Sequence, residues 1–352
     1  MARQYRVHAA AIVALVAVAG CAIVGPREIR NGRLAYNEAI TTSNNQQLLM
    51  VAVHDRYEEN ANLLIVSSVT ANVHVGATAG VEVGYGPDSN YAGNLVPFSA
   101  GMTYEENPTI AYVPVDGGSY VRQLMSPLPI AVLVQFSGAS GDAAAVYRSL
   151  LSSVNDVANI DAGIAPESKF ARFIALMTAT SSEGCLHWVD QTAGRYAIGI
   201  DTDRCRGNDA RDLLDLLGIA QTNANGPRVV LPVSVGQGRP DGTGVMLALR
   251  SVFELLQILS AAIDVPADDL ASGAARPIAG GGGTGAALRV AYSKKSPAHA
   301  AVAVPYRGGW FYIDDGDAAT KRFFRLISVL WSATLADTAQ RSAPVLTLPA
   351  SR

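Results

Sequence analysis

Ser68-Val69-Thr70-Ala71-Asn72-Val73-His74-Val75-Gly76-Ala77-Thr78-Ala79-Gly80-Val81-Glu82-Val83-Gly84-Tyr85 carries the clearest periodicity in this chain. Val69, Ala71, Val73, Val75, Ala77, Ala79, Val81, Val83 and Tyr85 alternate with polar residues and glycines, the period of a β-strand rather than a helix. Eighteen residues at ~3.3 Å each would run about 60 Å, far beyond an ordinary strand. A bend at Gly76 or Gly80, or a projecting ribbon, is therefore expected. Downstream, Pro87-Asp88-Ser89-Asn90 and Gly93-Asn94 are turn material, and Val96, Phe98, Ala100, Met102 and Tyr104 alternate again. The two runs read as a long antiparallel hairpin, 69–104, with Thr109 to Val115 as a third strand. Alternating strands with glycine and aromatic residues also build transmembrane barrels, which keeps open a hairpin contributed to an oligomeric outer-membrane pore. Against this, one hairpin closes no barrel, and Ala and Val make a weak lipid-facing surface.

Working outward, residues 31–40 have a helical pattern, and Ser43-Asn44-Asn45-Gln46 reads as a capping box opening a second helix that ends near Tyr57. Residues 117–156 read as helix in pieces, broken at Pro127 and Pro129 and restarted after Gly141-Asp142. Beyond Ile160-Asp161-Ala162-Gly163 a boundary is expected. The order then runs helix 168–180, hairpin 186–200, helix 209–217, strand 228–235, helix 245–263, strand 287–292, hairpin 301–313, helix 318–335 and strand 345–348. In helix 245–263, Arg250, Glu254 and Gln257 form an i, i+4, i+7 stripe with Arg and Glu paired one turn apart. The class is α+β: antiparallel hairpins packed with helices, an N-terminal region 31–160 and a C-terminal region 165–350. The recurring order of elements suggests two tandem small α+β units in the latter.

Before the first helix lies a different kind of segment. Arg3 and Arg6 precede an eleven-residue apolar run, Ala9 to Ala19, which is the length of a signal peptide and short of the roughly 20 residues a spanning helix needs. Val18-Ala19-Gly20-Cys21 resembles the lipobox of bacterial lipoproteins, which implies cleavage before a diacylglyceryl-modified cysteine. Residues 1–20 would be the signal, Cys21 the lipid attachment site and 21–30 a lipidated tether to the membrane. Ordinary cleavage after Ala17-Val18-Ala19 and an uncleaved anchor are the alternatives. Ala22 favours outer-membrane over inner-membrane sorting under the enterobacterial rule.

Losing Arg3 and Arg6 with the signal takes the formal charge from −3 to −5, and no basic stripe offsets it, which argues against a nucleic-acid partner. Charged residues are 16% and apolar residues 49% of the chain, a composition that folds rather than one that stays disordered. With Cys21 set aside, Cys185 and Cys205 can pair in an oxidising compartment, closing a loop of about 20 residues worth roughly 3 kcal/mol. Leu186 to Ile200 reads as a hairpin that brings their ends together. A metal site at Cys185, His187 and Cys205 is the alternative and lacks a fourth ligand.

Other chemistry fails on context. Gly280-Gly281-Gly282-Gly283-Thr284-Gly285 precedes a strand and lacks the Lys-Ser/Thr ending of a phosphate loop, so it reads as a surface loop. Asp314-Asp315-Gly316-Asp317 resembles a calcium loop only until its twelfth position, which is Arg325; N-capping by Asp317 is the simpler expectation. There is no Gly-x-Ser-x-Gly elbow, no H-E-x-x-H and no cofactor fingerprint. A hydrolase assembled from residues distant in sequence stays open.

Tyr306-Arg307-Gly308-Gly309-Trp310-Phe311-Tyr312-Ile313-Asp314-Asp315, with Asp317, Lys321 and Phe324 following, resembles the closing region of an uncharacterised family of bacterial lipoproteins that reads YRGxWFYIDDxDxxSKxxF and ends in PVLTLP. Pro344 to Pro349 repeats that ending. Ala35 to Ile40, Asn45 to Leu49, Arg56-Tyr57 and Tyr104 to Ile110 are similar to the family's opening. Thr320 replaces the usual serine, and the middle diverges. The resemblance implies a lipoprotein and no particular activity. The expectation is a lipid-anchored envelope protein without enzymatic activity, a scaffold or interaction component facing the periplasm with an envelope protein partner. Arg307, Trp310, Tyr312, Asp314 and Asp315 are its candidate contact residues, and the pore and the hydrolase are the alternatives.

Overall fold

The computed structural model describes residues 34–349 except 62, 71–72, 82–97, 107–108, 116–117, 160–167, 192–193, 220–226, 241–242, 279–287 and 340–345. Cys21 and the lipobox-like stretch before it, the Gly280–Gly285 run and the turn residues between Val83 and Gly93 thus lie outside the described residues. The fold is α+β, as expected. Its compact units are Met1–Ala61 with Arg122–Ser332, and Asn62–Val121 with Ala333–Arg352. These units cut across both sequence regions, 31–160 and 165–350. No described helix is long and apolar enough to cross a membrane.

The larger unit is organised by a six-stranded sheet in the order β6-β5-β10-β9-β8-β7. Its strands are β5 (Leu151–Val154), β6 (Val157–Ala158), β7 (Leu186–Gln191), β8 (Arg195–Asp201), β9 (Arg228–Val235) and β10 (Val245–Leu249). Only β9 and β10 pair in parallel. Here the expectation of one helix over 245–263 is corrected. Val245 to Leu249 is a central strand, with Val245, Leu247, Ala248 and Leu249 buried, and such strands read as continuous apolar runs without alternation. The helix α7 (Val252–Ala261) begins after Ser251, whose hydroxyl accepts from the Glu254 amide while the Glu254 carboxylate accepts from the Ser251 amide. That capping box is the stop-and-start signal the apolar run concealed.

Arg250 therefore belongs to no helical stripe. It is buried, and its guanidinium donates to the carbonyls of Arg148 (2.8 Å), Ser149 (2.9 Å) and Asn159 (3.2 Å). Two of these are late carbonyls of α4 (Ala143–Leu150), where a cation satisfies groups the helix leaves unpaired. Burial pulls the Arg250 pKa down to about 10, with Glu254 opposing. The segment expected to be helical to residue 156 also turns to strand at Leu151, because β5 pairs with β10.

The remaining helices follow the sequence more closely. Residues 34–56 form one helix, α1, straight through Ser43 to Gln46; the expected break there does not occur. Gln46 instead donates to the Ala303 carbonyl. Leu48, Leu49, Ala52, Val53 and Arg56 are the buried stripe of α1, and Tyr57 just past its end is buried too. Next come α2 (Gly118–Met125), α3 (Ile130–Ala139), α5 (Lys169–Ser182) and α6 (Asp209–Leu216). They are followed by α8 (Ala267–Ala271) and α9 (Ala318–Ala339). Asp317 accepts from the Thr320 amide at 3.0 Å and so caps the first turn of α9. A second sheet, β11-β13-β12, comprises β11 (Ala291–Ser293), β12 (Ala300–Tyr306) and β13 (Gly309–Asp314).

In the smaller unit, β1 (Leu63–Thr70) pairs with β4 (Thr109–Val115), and β2 (Val73–Val81) with β3 (Phe98–Glu106). From Ser68↔Ala111 through Val81↔Phe98 the partners' numbers always add to 179. One register thus holds on both sides of residues 71–72 and 107–108, and its only shift lies between Val66 and Ser68. The antiparallel hairpin expected from the alternation is present, and β2 runs through Gly76 and Gly80 without a register shift. β14 (Leu346–Pro349) adds to β4, giving the order β1-β4-β14. The two helix-hairpin-helix-strand runs of the C-terminal half feed different sheets: β9 pairs with β8, whereas β14 pairs with β4.

Candidate functional site

Arg307 sits at the tip of the β12–β13 hairpin. Tyr306 and Gly309 are the closing pair, and both central residues have positive φ, +47° for Arg307 and +75° for Gly308. Two left-handed residues in a two-residue loop make the turn whose twist matches the flanking strands. Gly309 is constrained in a different way: a Cβ there would fall on the Tyr292 ring. Phe311 and Ile313 point into the core, and the alternate residues Trp310 and Tyr312 are half-buried on the opposite face.

The hairpin tip meets the end of α1. Glu58 has φ +56°, the Glu58 amide donates to the Asp55 carbonyl and the Glu59 amide to the His54 carbonyl. This left-handed termination is usually built on glycine. It places Glu59 2.9 Å from the Arg307 guanidinium. Arg307 also lies over the rings of Tyr57 and Tyr306, 5.0 and 5.7 Å from their centroids. Hydrogen bonding from Tyr306, then from Arg307, holds the Glu59 carboxyl below its ordinary range. Hydrogen bonding with Tyr306, then with Glu59, raises Arg307.

Tyr57 continues the network inward, donating to Asp269 at 2.7 Å, and its own pKa is pushed up by burial and then by that bond. Arg56, buried beside it, donates to the Arg276 carbonyl. Asp55 accepts from Gln257 at 2.6 Å and lies 3.7 Å from Arg276. His54 stacks obliquely on Tyr306, centroids 5.2 Å apart. The opening segment Arg56-Tyr57 and the closing segment Tyr306-Arg307 thus meet in space. Gln257, Asp269 and Arg276 join them; Gln257 is marked in the sequence only as part of a polar stripe, and nothing in their sequence context marks Asp269 or Arg276.

The five candidate contact residues lie on or just past one hairpin, and three of them are engaged within the fold. Arg307 is committed to Glu59. Asp314 accepts from the Gly316 amide at 2.8 Å, and Asp315 pairs with Lys321 at 2.6 Å, which lowers its pKa. Trp310 and Tyr312, flanked by Ser293, Ala291, Ala303 and Pro305 across the sheet, present the half-open face. As a whole the cluster is a structural joint of polar and aromatic side chains with one shallow aromatic face.

Cys185 and Cys205 form a disulfide with Cα atoms 5.3 Å apart at the base of the β7–β8 hairpin. Both thiols are thereby consumed, and a metal at Cys185, His187 and Cys205 is ruled out in this state. His187 instead lies over Gly199, where a Cβ would strike its ring, and contacts Arg228 at 2.7 Å. Among the described residues the one metal-like grouping is Glu183 with the same two cysteines. Glu183 accepts from the Arg206 amide. No family model, no curated protein and no solved structure matches this chain.

Proposed function

We propose that this chain is a lipid-anchored component of a bacterial cell envelope, held at the outer membrane by acyl chains on Cys21, and that it works without catalysis as an interaction component facing the periplasm. The observation that supports the interaction reading most is the β2–β3 ladder. Among the described residues it is two-stranded, nine residues long on each side, and continues the β1–β4 register. Such a ribbon is marginal in water by itself, and its outer edges carry unpaired backbone donors and acceptors that another strand can complete. The register also aligns apolar positions with apolar positions: Val75 with Tyr104, Ala77 with Met102, Ala79 with Ala100 and Val81 with Phe98.

The Cys185–Cys205 disulfide agrees with an oxidising compartment. Because Arg307 is tied to Glu59, altering Arg307–Asp315 would disturb the fold as well as any partner contact, so the ribbon is the better place to test. Photocrosslinkers placed at Ala77 and Met102 in living cells should give one reproducible adduct, with a partner protein or a second copy. Absence of any adduct, with protease cutting freely within 73–106, counts against the proposal. The ribbon also supports a second reading, a pore. That reading expects detergent-resistant rings and protection of 73–106 by the membrane.

A further inference from the structure

Between α3, α4, α7 and α9 of the larger unit runs an open groove of about 730 Å³, within the size range of small-molecule sites. Its floor is apolar: Phe136, Val146, Ile258, Phe323 and Leu326. At one side Val329 is 49% exposed, and of the ten residues of α3, an apolar helix, only Leu133 is buried. Three arginines line the same groove, Arg148 from α4 and Arg322 and Arg325 from α9, against a single carboxylate, Asp142. Asp142 is partly occupied, since it caps α4 through the Ala145 amide and stands 3.8 Å from Arg322. Neither Arg148 nor Arg325 forms an ion pair among the described residues. A cationic rim over an apolar floor is unexpected in a chain of net charge −3.

We propose that this groove binds a fatty carboxylate, its acyl chain along the floor and its carboxylate on Arg148 and Arg325. The walls dictate the class. They are chiefly helices, whose interior backbone groups bond internally, joined at one edge by Ser140 to Asp142 between α3 and α4; the two serines are engaged, Ser149 donating to the Ala145 carbonyl and Ser140 accepting from the Asp142 amide. An extended peptide laid along the apolar floor would bring amides that the floor side chains cannot bond, which is costly, whereas an acyl chain brings none. Each methylene taken out of water along the floor adds to the affinity, and the guanidinium fork matches a carboxylate. A nucleotide or sugar would leave its polar groups facing the apolar floor.

The test is a calorimetric titration of the full chain, freed of detergent, with laurate, dodecanol and dodecyltrimethylammonium, each below its micelle concentration. Laurate should bind saturably at one site and more tightly than either analogue. The double variant Arg148→Gln/Arg325→Gln should weaken laurate binding about tenfold while leaving the unfolding midpoint unchanged, since neither side chain has an ion-pair partner among the described residues. Ala145→Phe, which fills the groove from α4, should abolish binding with the disulfide and the far-ultraviolet spectrum intact. Equal affinity for all three amphiphiles, laurate binding indifferent to both variants, or an acidic amphipathic helical peptide binding where laurate does not would each overturn the proposal.

Discussion

Arg307 and Glu59 are 248 residues apart in sequence and 2.9 Å apart in the fold. That ion pair joins a hairpin tip to a helix end, and its carboxylate sits below the usual range. A depressed carboxylate contributes stability above its unfolded value and loses it as pH falls through the folded value. The stability gap between the native chain and Glu59→Gln should be constant near neutrality. It should close on acidification below the ordinary 4.5, as read by thermal unfolding at a series of pH values. Both groups are well solvated, so salt should shrink the gap too.

Glu58 adopts a backbone conformation that costs a non-glycine residue about 1 kcal/mol. Glu58→Gly is expected to raise stability by about that amount in urea unfolding. A decrease would mean that the α1 termination is not as described.

Arg250 holds three carbonyls from two segments. Arg250→Ala should cost about 3 kcal/mol, because it strands buried acceptors as well as losing bonds. Arg250→Lys should recover only part of the loss, since an ammonium cannot reproduce the fork. Had Arg250 lain on the open face of a helix, as the sequence pattern suggested, both changes would be nearly silent.

Gly309 and Tyr292 exclude each other's bulk. Gly309→Ala should destabilise by about 2 kcal/mol through overpacking. In a double-mutant cycle, Tyr292→Ala should remove most of that penalty. Strict additivity would show that the ring does not lie over the glycine.

The Cys185–Cys205 bridge should contribute roughly 3 kcal/mol on the chain-entropy model. Replacing both cysteines by alanine, or adding reductant, should lower the unfolding midpoint to the same extent.

How much of this was legible in the sequence depends on the kind of signal. The hairpins 186–200 and 301–313 were legible as apolar runs on either side of turn residues, and period-two alternation located the β2–β3 ladder, whose sequence has two chemically different faces. It failed at Val245 to Leu249, where both faces are buried and the apolar run looks helical. The capping boxes misled in opposite directions. Ser43-x-x-Gln46 is overridden by a continuous helix with a buried stripe, whereas Ser251-x-x-Glu254, unread because it lay inside an apolar run, does start a helix. The disulfide followed from cysteine arithmetic plus the intervening hairpin. The meeting of Arg56-Tyr57 with Tyr306-Arg307 was not legible, since contact between segments some 250 residues apart leaves no local pattern. The groove was equally hidden. Arg325 was noticed only as the wrong residue for a calcium loop, and its position on α9 beside Arg322 and Val329 gives it another use.

The proposed placement of the protein on a membrane rests on Val18-Ala19-Gly20-Cys21, and one measurement bears on it most directly: intact-mass and peptide mass spectrometry of the mature N-terminus from bacterial envelopes. The expected result is a chain beginning at Cys21 with a diacylglyceryl thioether on its sulfur. A mature chain beginning at Gly20 with a free Cys21 thiol, or one retaining Met1, would contradict it.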